Sequence, residues 1–536
     1  MGPKRYAPRR CRGCRHSHAR HEYYIDCRPG PGVSDISSDT LFPYYTCPPK
    51  LVKMKITAAL AAGIIGATTV AAASMEEMME IKAKSWERAE ARGVFDGNKK
   101  YKKGPTASKC KNGFAGEYPC NNVDLLDFIS HEDLGATQMR GNDVWGWTSK
   151  DGREYGIVGH TDGVAFVEIK KNGKLSYLGR LDTYTGIVSW RDMKVIKDHV
   201  YIGSEATGHG LQIFDLKNLL DVDPKHPVVF ENERDLTAHF DGFGASHNLV
   251  AHPEVDMIYA VGGRDGANSR NTACAGGLFM VDVSDPSNPT SPGCIGLDGY
   301  VHDAECVIYR GPTQKYFGRE ICFGYNEDTL TIYDTTDKSN PSVISSTPYI
   351  GNEYSHQGWI VDEAMTFLLL DDELDELNQA GPPAGEIGGL VNHTTTYIFD
   401  ISNLEAPVNT GYYQSPEQSI DHNQYTLEGL SYQSNYASGL RIIDVSGLPK
   451  DPAGNNIEEV GFFDVHPEDD GAIEFLGTWS NYPYFKSGNI LVNSIERGIF
   501  TLKYTGRKAK YPGGRKSEWM QEGVKPSKPG KGPKQN

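Results

Sequence analysis

The chain has 536 residues, among them 59 Gly, 29 Tyr and 11 Met, and its 70 acidic and 54 basic side chains leave a formal net charge of −16. That surplus opposes attraction to phosphate backbones and argues against nucleic acid as a partner. Short apolar runs between clusters of Gly, Asn, Asp and Pro exclude a mainly helical chain and favour an all-β one.

Residues 1–53 carry Cys11, Cys14, Cys27 and Cys47 without periodicity and read as a disordered gene-model extension. Cys11 and Cys14 are half of a zinc motif, but no second pair or spaced histidine pair follows at finger spacing. Residues 54–73 read as a secretory signal peptide, because Lys50, Lys53 and Lys55 flank an apolar run from Ile56 to Ala73 that ends in small residues. A transmembrane anchor is the alternative, yet the run is rich in Ala and Gly and only marginally long enough to span. Residues 74–122 are expected to hold one short helix, MEEMMEIKAKSWERAEARG, and a disulfide.

Six cysteines follow the signal: Cys110 and Cys120, Cys274 and Cys294, Cys306 and Cys322. An even count in an exported chain implies disulfides. Several connectivities are open. Sequential pairing is the expectation, since Cys306 and Cys322 sit in the runs ECVIY and REICFG, which read as neighbouring strands. Asn392 heads the sequon Asn392-His393-Thr394 in a polar loop, which suits a surface glycosylation site.

From 123 to 505 one strand pattern recurs, in which a small residue and an alternating apolar run lead to an acid. The copies are GVAFVEI from Gly163, GLQIFDL from Gly210, GLFMVDV from Gly277, TLTIYDT from Thr329, TTYIFDI from Thr395, GLRIIDV from Gly439 and GIFTLKY from Gly498. A strand pair precedes each copy, and turns such as DPSNP at Asp285 lead into a weaker fourth strand. Seven such units predict a seven-bladed β-propeller with four-stranded blades. A string of β-sandwich modules is the alternative, but one repeat is too short for a sandwich. The last copy ends at Tyr504 without a fourth strand, whereas LLDFISHEDLG at Leu125 is a fourth strand without a blade. The N-terminal strand is therefore expected to complete the last blade and remove an open edge.

These repeats resemble LVIVD repeats. DVWGWTSKDGREYGIVGHTDG from Asp143, SWRDMKV from Ser189, VHDAECVIYRGP from Val301, GREICFGYNEDTLTIYD from Gly318, LLLDDELDE from Leu368 and SIERGIFTLKY from Ser494 resemble the exported choice-of-anchor B family. The resemblance implies an exported propeller, attached in many bacterial members by interchangeable C-terminal anchors, and implies no particular activity. Residues 506–536 depart from that pattern: they are rich in Lys, Gly and Pro without an apolar anchor, and read as a basic disordered tail.

Four blades open their first strand with a histidine: His247, His302, His356 and His422. First strands line a propeller's channel, so four imidazoles should converge there and suit iron, copper or zinc. Carotenoid-cleaving oxygenases have a four-histidine axis similar in architecture only. The bland alternative is that these histidines staple neighbouring blades by hydrogen bonds. Acids at the ends of inner hairpins, Asp162, Glu205, Asp265, Glu327, Asp372 and Glu496, with Asp303 and Glu305 beside His302, are candidates to orient the imidazoles or to hold Ca²⁺. The other three blades offer Asp143, Arg191 and Ser480, and Arg191 is a candidate anion contact or a partner for charge across the channel.

His131 in HEDLG shows no partner in the sequence. The run DDELDE, Asp371 to Glu376, reads as a solvated loop more readily than as a cation cage, and no nucleophile elbow, P-loop or dinucleotide fingerprint occurs. No catalytic residue is assigned, and whether the chain is an enzyme is left open. The leading expectation is a secreted monomer, extracellular or in the cell wall and without a membrane span once mature. Its channel face would bind a small molecule, glycan or protein. The competing expectations are a metal-dependent oxidoreductase built on the four histidines, and an adhesive wall protein whose basic tail contacts acidic polymers.

Overall fold

A computed structural model describes residues 73–101, 107–264, 274–379, 390, 392–468, 473–511 and 513–516. The expected extension, and all of the expected signal peptide except Ala73, lie outside these residues.

The repeated pattern is the third strand of seven sheets, each built on four antiparallel strands that run outward from the axis in chain order in all blades but the last; Val228–Phe230 adds a parallel strand to the edge of the first sheet, and Phe114–Ala115 and Tyr118–Asn121 extend the sixth. Blade 1 consists of Gly141–Thr148, Glu154–His160, Gly163–Ile169 and Leu175–Asp182. The innermost strands of the seven blades touch their neighbours in a closed cycle, blade 7 meeting blade 1. Each sheet therefore has a neighbour on both faces, which is why Gly163–Ile169 is buried at every position rather than at alternate ones. The glycine that opens the motif has a steric cause. A Cβ on Gly163 would sit 2.3 Å from the carbonyl oxygen of Leu181, and one on Gly498 would sit 2.1 Å from that of Ile129.

Blade 7 comprises Thr478–Tyr482, Asn489–Ser494 and Gly498–Tyr504 and takes its outer strand, Val123–Ser130, from the other end of the ring. That strand runs antiparallel to Gly498–Tyr504, with Val123 opposite Tyr504 and Ser130 opposite Gly498. Disulfides join Cys110 to Cys120, Cys274 to Cys294 and Cys306 to Cys322. The last pair links directly opposed residues of the first two strands of blade 4, Asp303–Ile308 and Glu320–Tyr325. Among the described residues no helix is long and apolar enough to cross a membrane. The disulfides are consistent with an extracellular protein.

Helix α1 (Met75–Ala91) starts at a capping box: Ser74 accepts from the Glu77 amide, and the Glu77 carboxylate accepts from the Ser74 amide at 2.9 Å. It presents Met75, Met78, Trp86 and Ala89 to one apolar cluster. The rest of that cluster comes from several blades and includes Trp190, Tyr354, Tyr436 and Trp479. Trp86 donates to the Phe475 carbonyl at 2.8 Å, and the Met75 amide donates to Glu327 at 2.6 Å. The helix thus covers the mouth of the channel at which the four histidine-bearing strands begin.

Of the tail, residues 506–511 and 513–516 are described. Arg515 is 4% exposed because its guanidinium finds a buried counter-ion in Glu305, and Tyr511 donates to Asp362 at 2.6 Å. Low-complexity composition conceals such single anchors, since one buried ion pair leaves no periodic signal.

Candidate metal centre at the channel mouth

His247, His302 and His422 immediately precede the innermost strands Asn248–His252, Asp303–Ile308 and Asn423–Leu427, and His356 is the second residue of Ser355–Ile360. Because these strands are consecutive in the ring, the imidazoles form an arc. Ring centroids are 4.3 Å apart from His247 to His302, 4.0 Å from His302 to His356 and 4.5 Å from His356 to His422. None is more than 4% exposed.

Their tautomers follow from their partners. His302 Nδ1 lies 2.8 Å from the His356 carbonyl and His422 Nδ1 lies 2.6 Å from that of Trp479. A carbonyl only accepts, so both Nδ1 atoms donate and both Nε2 atoms keep a lone pair. His247 directs Nδ1 to the Glu205 carboxylate at 2.9 Å with the same consequence. Nε2 of His302 and Nδ1 of His356 are buried with no hydrogen-bond partner among the described residues. Burial holds all four imidazoles well below the usual histidine pKa, and the Lys82 ammonium adds to the effect. They are neutral at neutral pH, the state a metal ligand requires.

A carboxylate absent from the sequence-based set completes the cluster. Glu373 Oε2 is 3.5 Å from His356 Nε2, and Oε1 is 3.7 Å from His422 Nε2. Two ligands each about 2.1 Å from a tetrahedral ion lie about 3.4 Å apart. The ligand atoms of His356, Glu373 and His422 all fall within 4.8 Å of one another. The Tyr436 hydroxyl donates to Glu373, and Lys82, delivered by α1, lies 2.6 Å from its Oε1. The Lys82 ammonium also faces the rings of Tyr436, Phe475 and Trp479 at 5.6–5.9 Å.

Glu373 belongs to the run expected to be a solvated loop, which is instead buried. Asp371 and Asp372 end the strand Phe367–Asp372, and Asp375–Asn378 is a short helix. Asp372 accepts from the Tyr349 hydroxyl and from the Glu353 and Tyr354 amides, Asp371 from Gln424, Asp375 from the Tyr397 hydroxyl and Glu376 from the Thr395 amide. Consecutive acids read as solvated because the partners that make burial tolerable lie on other strands and in distant loops.

Among the sequence-derived acids in the described residues, Glu205 bonds to one of the four histidines, His247. Asp162 accepts from Thr137, Glu327 caps α1, and Glu496 holds His466 Nδ1 at 2.5 Å. Asp303 accepts from the Ala304 amide, Glu305 pairs with Arg515, and Asp265 lies outside the described residues. Arg191 is buried, with Nε on the His160 carbonyl, Nη1 on His209 Nε2 and Nη2 on the Thr183 hydroxyl. Burial lowers it to about 10. All three of its nitrogens are engaged within the protein. Asn392 is half-buried with a left-handed φ of 65°.

His131 does have a partner. Its Nε2 donates to the Ser494 carbonyl at 2.7 Å, so its Nδ1 accepts from His160 Nε2 at 3.1 Å. Burial lowers it to about 4. An unfolded histidine takes its proton near pH 6.5, so this contribution is complete above that pH and is lost as the pH falls towards 4, by roughly 3 kcal/mol. His131→Gln is therefore expected to flatten the loss of stability between pH 6.5 and 4 in urea titrations. An unchanged slope rules the pair out as its source.

Residues 273–294, which include the third strand of blade 3 (Leu278–Asp282) and the Cys274–Cys294 disulfide, match the family model described as LVIVD repeat. No curated protein matches the chain. The chain is thus a seven-bladed β-propeller in which one segment, in blade 3, is similar to the LVIVD repeat.

Proposed function

We propose that this propeller is a metal-binding protein, with a divalent transition ion held at the channel mouth by His356, Glu373 and His422 and with His302 as a further imidazole ligand. The observation that carries this reading is the pair of His–Glu373 separations, 3.5 and 3.7 Å, in a fully buried site. Carbonyl-anchored tautomers that leave Nε2 lone pairs, with Glu205 bonded behind His247, are the second-layer arrangement that metal-binding imidazoles use. Two imidazoles and a carboxylate suit iron(II) or zinc, and the iron case connects the site to the oxidoreductase reading. A small molecule, glycan or protein on this face is less well supported, because α1 already covers it. Export, as in the choice-of-anchor B family that the segments resemble, is supported by the three disulfides.

Lys82 stands beside Glu373 where an incoming ion would take its place, so Lys82→Met is expected to preserve or raise metal content. Protein purified from metal-replete medium should carry near-stoichiometric metal, and His356→Ala or His422→Ala should lower it at least tenfold, whereas the exposed His226→Ala should not. Less than about 0.1 ion per folded chain contradicts the proposal, given the affinities of imidazole clusters.

A further inference from the structure

The opposite end of the same channel is built differently. Asp303 and Glu305 follow His302 along its strand, Trp359 follows His356, and Tyr425 follows His422. With Trp145 and Arg515 these side chains line a cavity of about 40 Å³. Arg515 reaches it from the tail: Nη1 donates to the Glu305 carboxylate and to the Ile360 carbonyl at 3.4 Å, and the guanidinium centre lies 5.8 Å from the Trp359 ring.

The backbone that delivers Arg515 is itself recognised. The Gly513 carbonyl accepts from Glu363 N at 2.8 Å, the Arg515 carbonyl accepts from Glu428 N at 2.7 Å, and Gly514 bridges to Asp362. Asp362 and Glu363 lie in the first hairpin turn of blade 5, and Glu428 lies in that of blade 6. Three consecutive residues are thus held between two adjacent turns while the arginine enters the axis. A carboxylate, a carbonyl and an aromatic ring together select a guanidinium over an ammonium, since only the guanidinium presents a planar fork and a stacking face.

We propose that this mouth is an arginine-recognition site, occupied in cis by Arg515, which accepts an arginine-bearing peptide of a partner when the tail segment withdraws. The inference is independent of any metal at the other mouth. A segment tethered this closely competes at an effective concentration on the order of millimolar, so a partner must either bind more tightly or meet a chain whose tail has been removed.

The test uses a labelled peptide, acetyl-Tyr-Pro-Gly-Gly-Arg-Lys-amide, with the intact chain and with a chain ending at Gly506. The shortened chain is expected to bind it saturably and at least tenfold more tightly than the intact chain does. It should also bind it at least tenfold more tightly than the same peptide with lysine in place of arginine. Equal affinity for the two chains, or indifference to the lysine replacement, overturns the proposal. Should the shortened chain not fold, the full-length Arg515→Ala protein decides. Nα-acetyl-arginine amide should raise its melting temperature and Nα-acetyl-lysine amide should not, and no difference between the two overturns the proposal equally.

Discussion

Glu373→Gln, measured in metal-free buffer, is expected to destabilise the protein by about 3–5 kcal/mol, because it leaves the Lys82 ammonium buried without its counter-ion. Lys82 is 1% exposed and Glu373 is fully buried, so solvent cannot take over the lost partner. Burial already lowers the lysine pKa against the pull of Glu373. Without that pull the amine gives up its proton more readily, and the penalty should grow as the pH falls and forces charge back onto it. The double variant Lys82→Met, Glu373→Gln should recover most of the loss, since methionine fits the surrounding cage of Tyr436, Phe475 and Trp479. Denaturant titrations of the two single variants and the double variant complete the cycle. A single-variant cost below about 1 kcal/mol, or a double variant no better than Glu373→Gln alone, shows that the pair does not hold α1 in place.

The second large effect belongs to the strand that completes blade 7. Leu125 is 1% exposed, faces Leu502 across the ladder and packs with Phe500 and Val492. Leu125→Asp places an unpaired carboxylate in that cluster and is expected to cost more than about 4 kcal/mol. Hydrogen exchange should localise the damage. Amides of Val123–Ser130 and of Gly498–Tyr504 should lose protection together, while those of blade 3 and blade 4 keep theirs. If only the first segment exchanged faster, the two strands would not be acting as one unit.

The architecture was legible because its signal is repetitive. Apolar alternation after a small residue, ending in an acid in six of the seven blades and in Lys503 in the last, marks the third strand, and the equivalent placement of His247, His302, His356 and His422 follows from the same register. The side chains that complete the two mouths were not legible. Lys82 sits on a helix with Lys84, Glu87 and Arg88, and sequence alone cannot distinguish the one lysine that turns inward from its solvated neighbours. Glu373 hides in a run of acids, and Arg515 lies in a stretch whose composition predicts disorder. In each case burial is decided by a partner hundreds of residues away or on another blade, and local periodicity carries no record of such partners.

The pairing of Val123–Ser130 with Gly498–Tyr504 also sets an order of events during synthesis. The outer strand leaves the ribosome first and must wait for almost the whole propeller to be translated before its ladder can form. Until then the nascent molecule exposes one strand edge at its beginning and lacks the sheet that would cover it. A product truncated before Gly498 can never acquire that cover, and its unsatisfied edge is left to pair with another copy of itself.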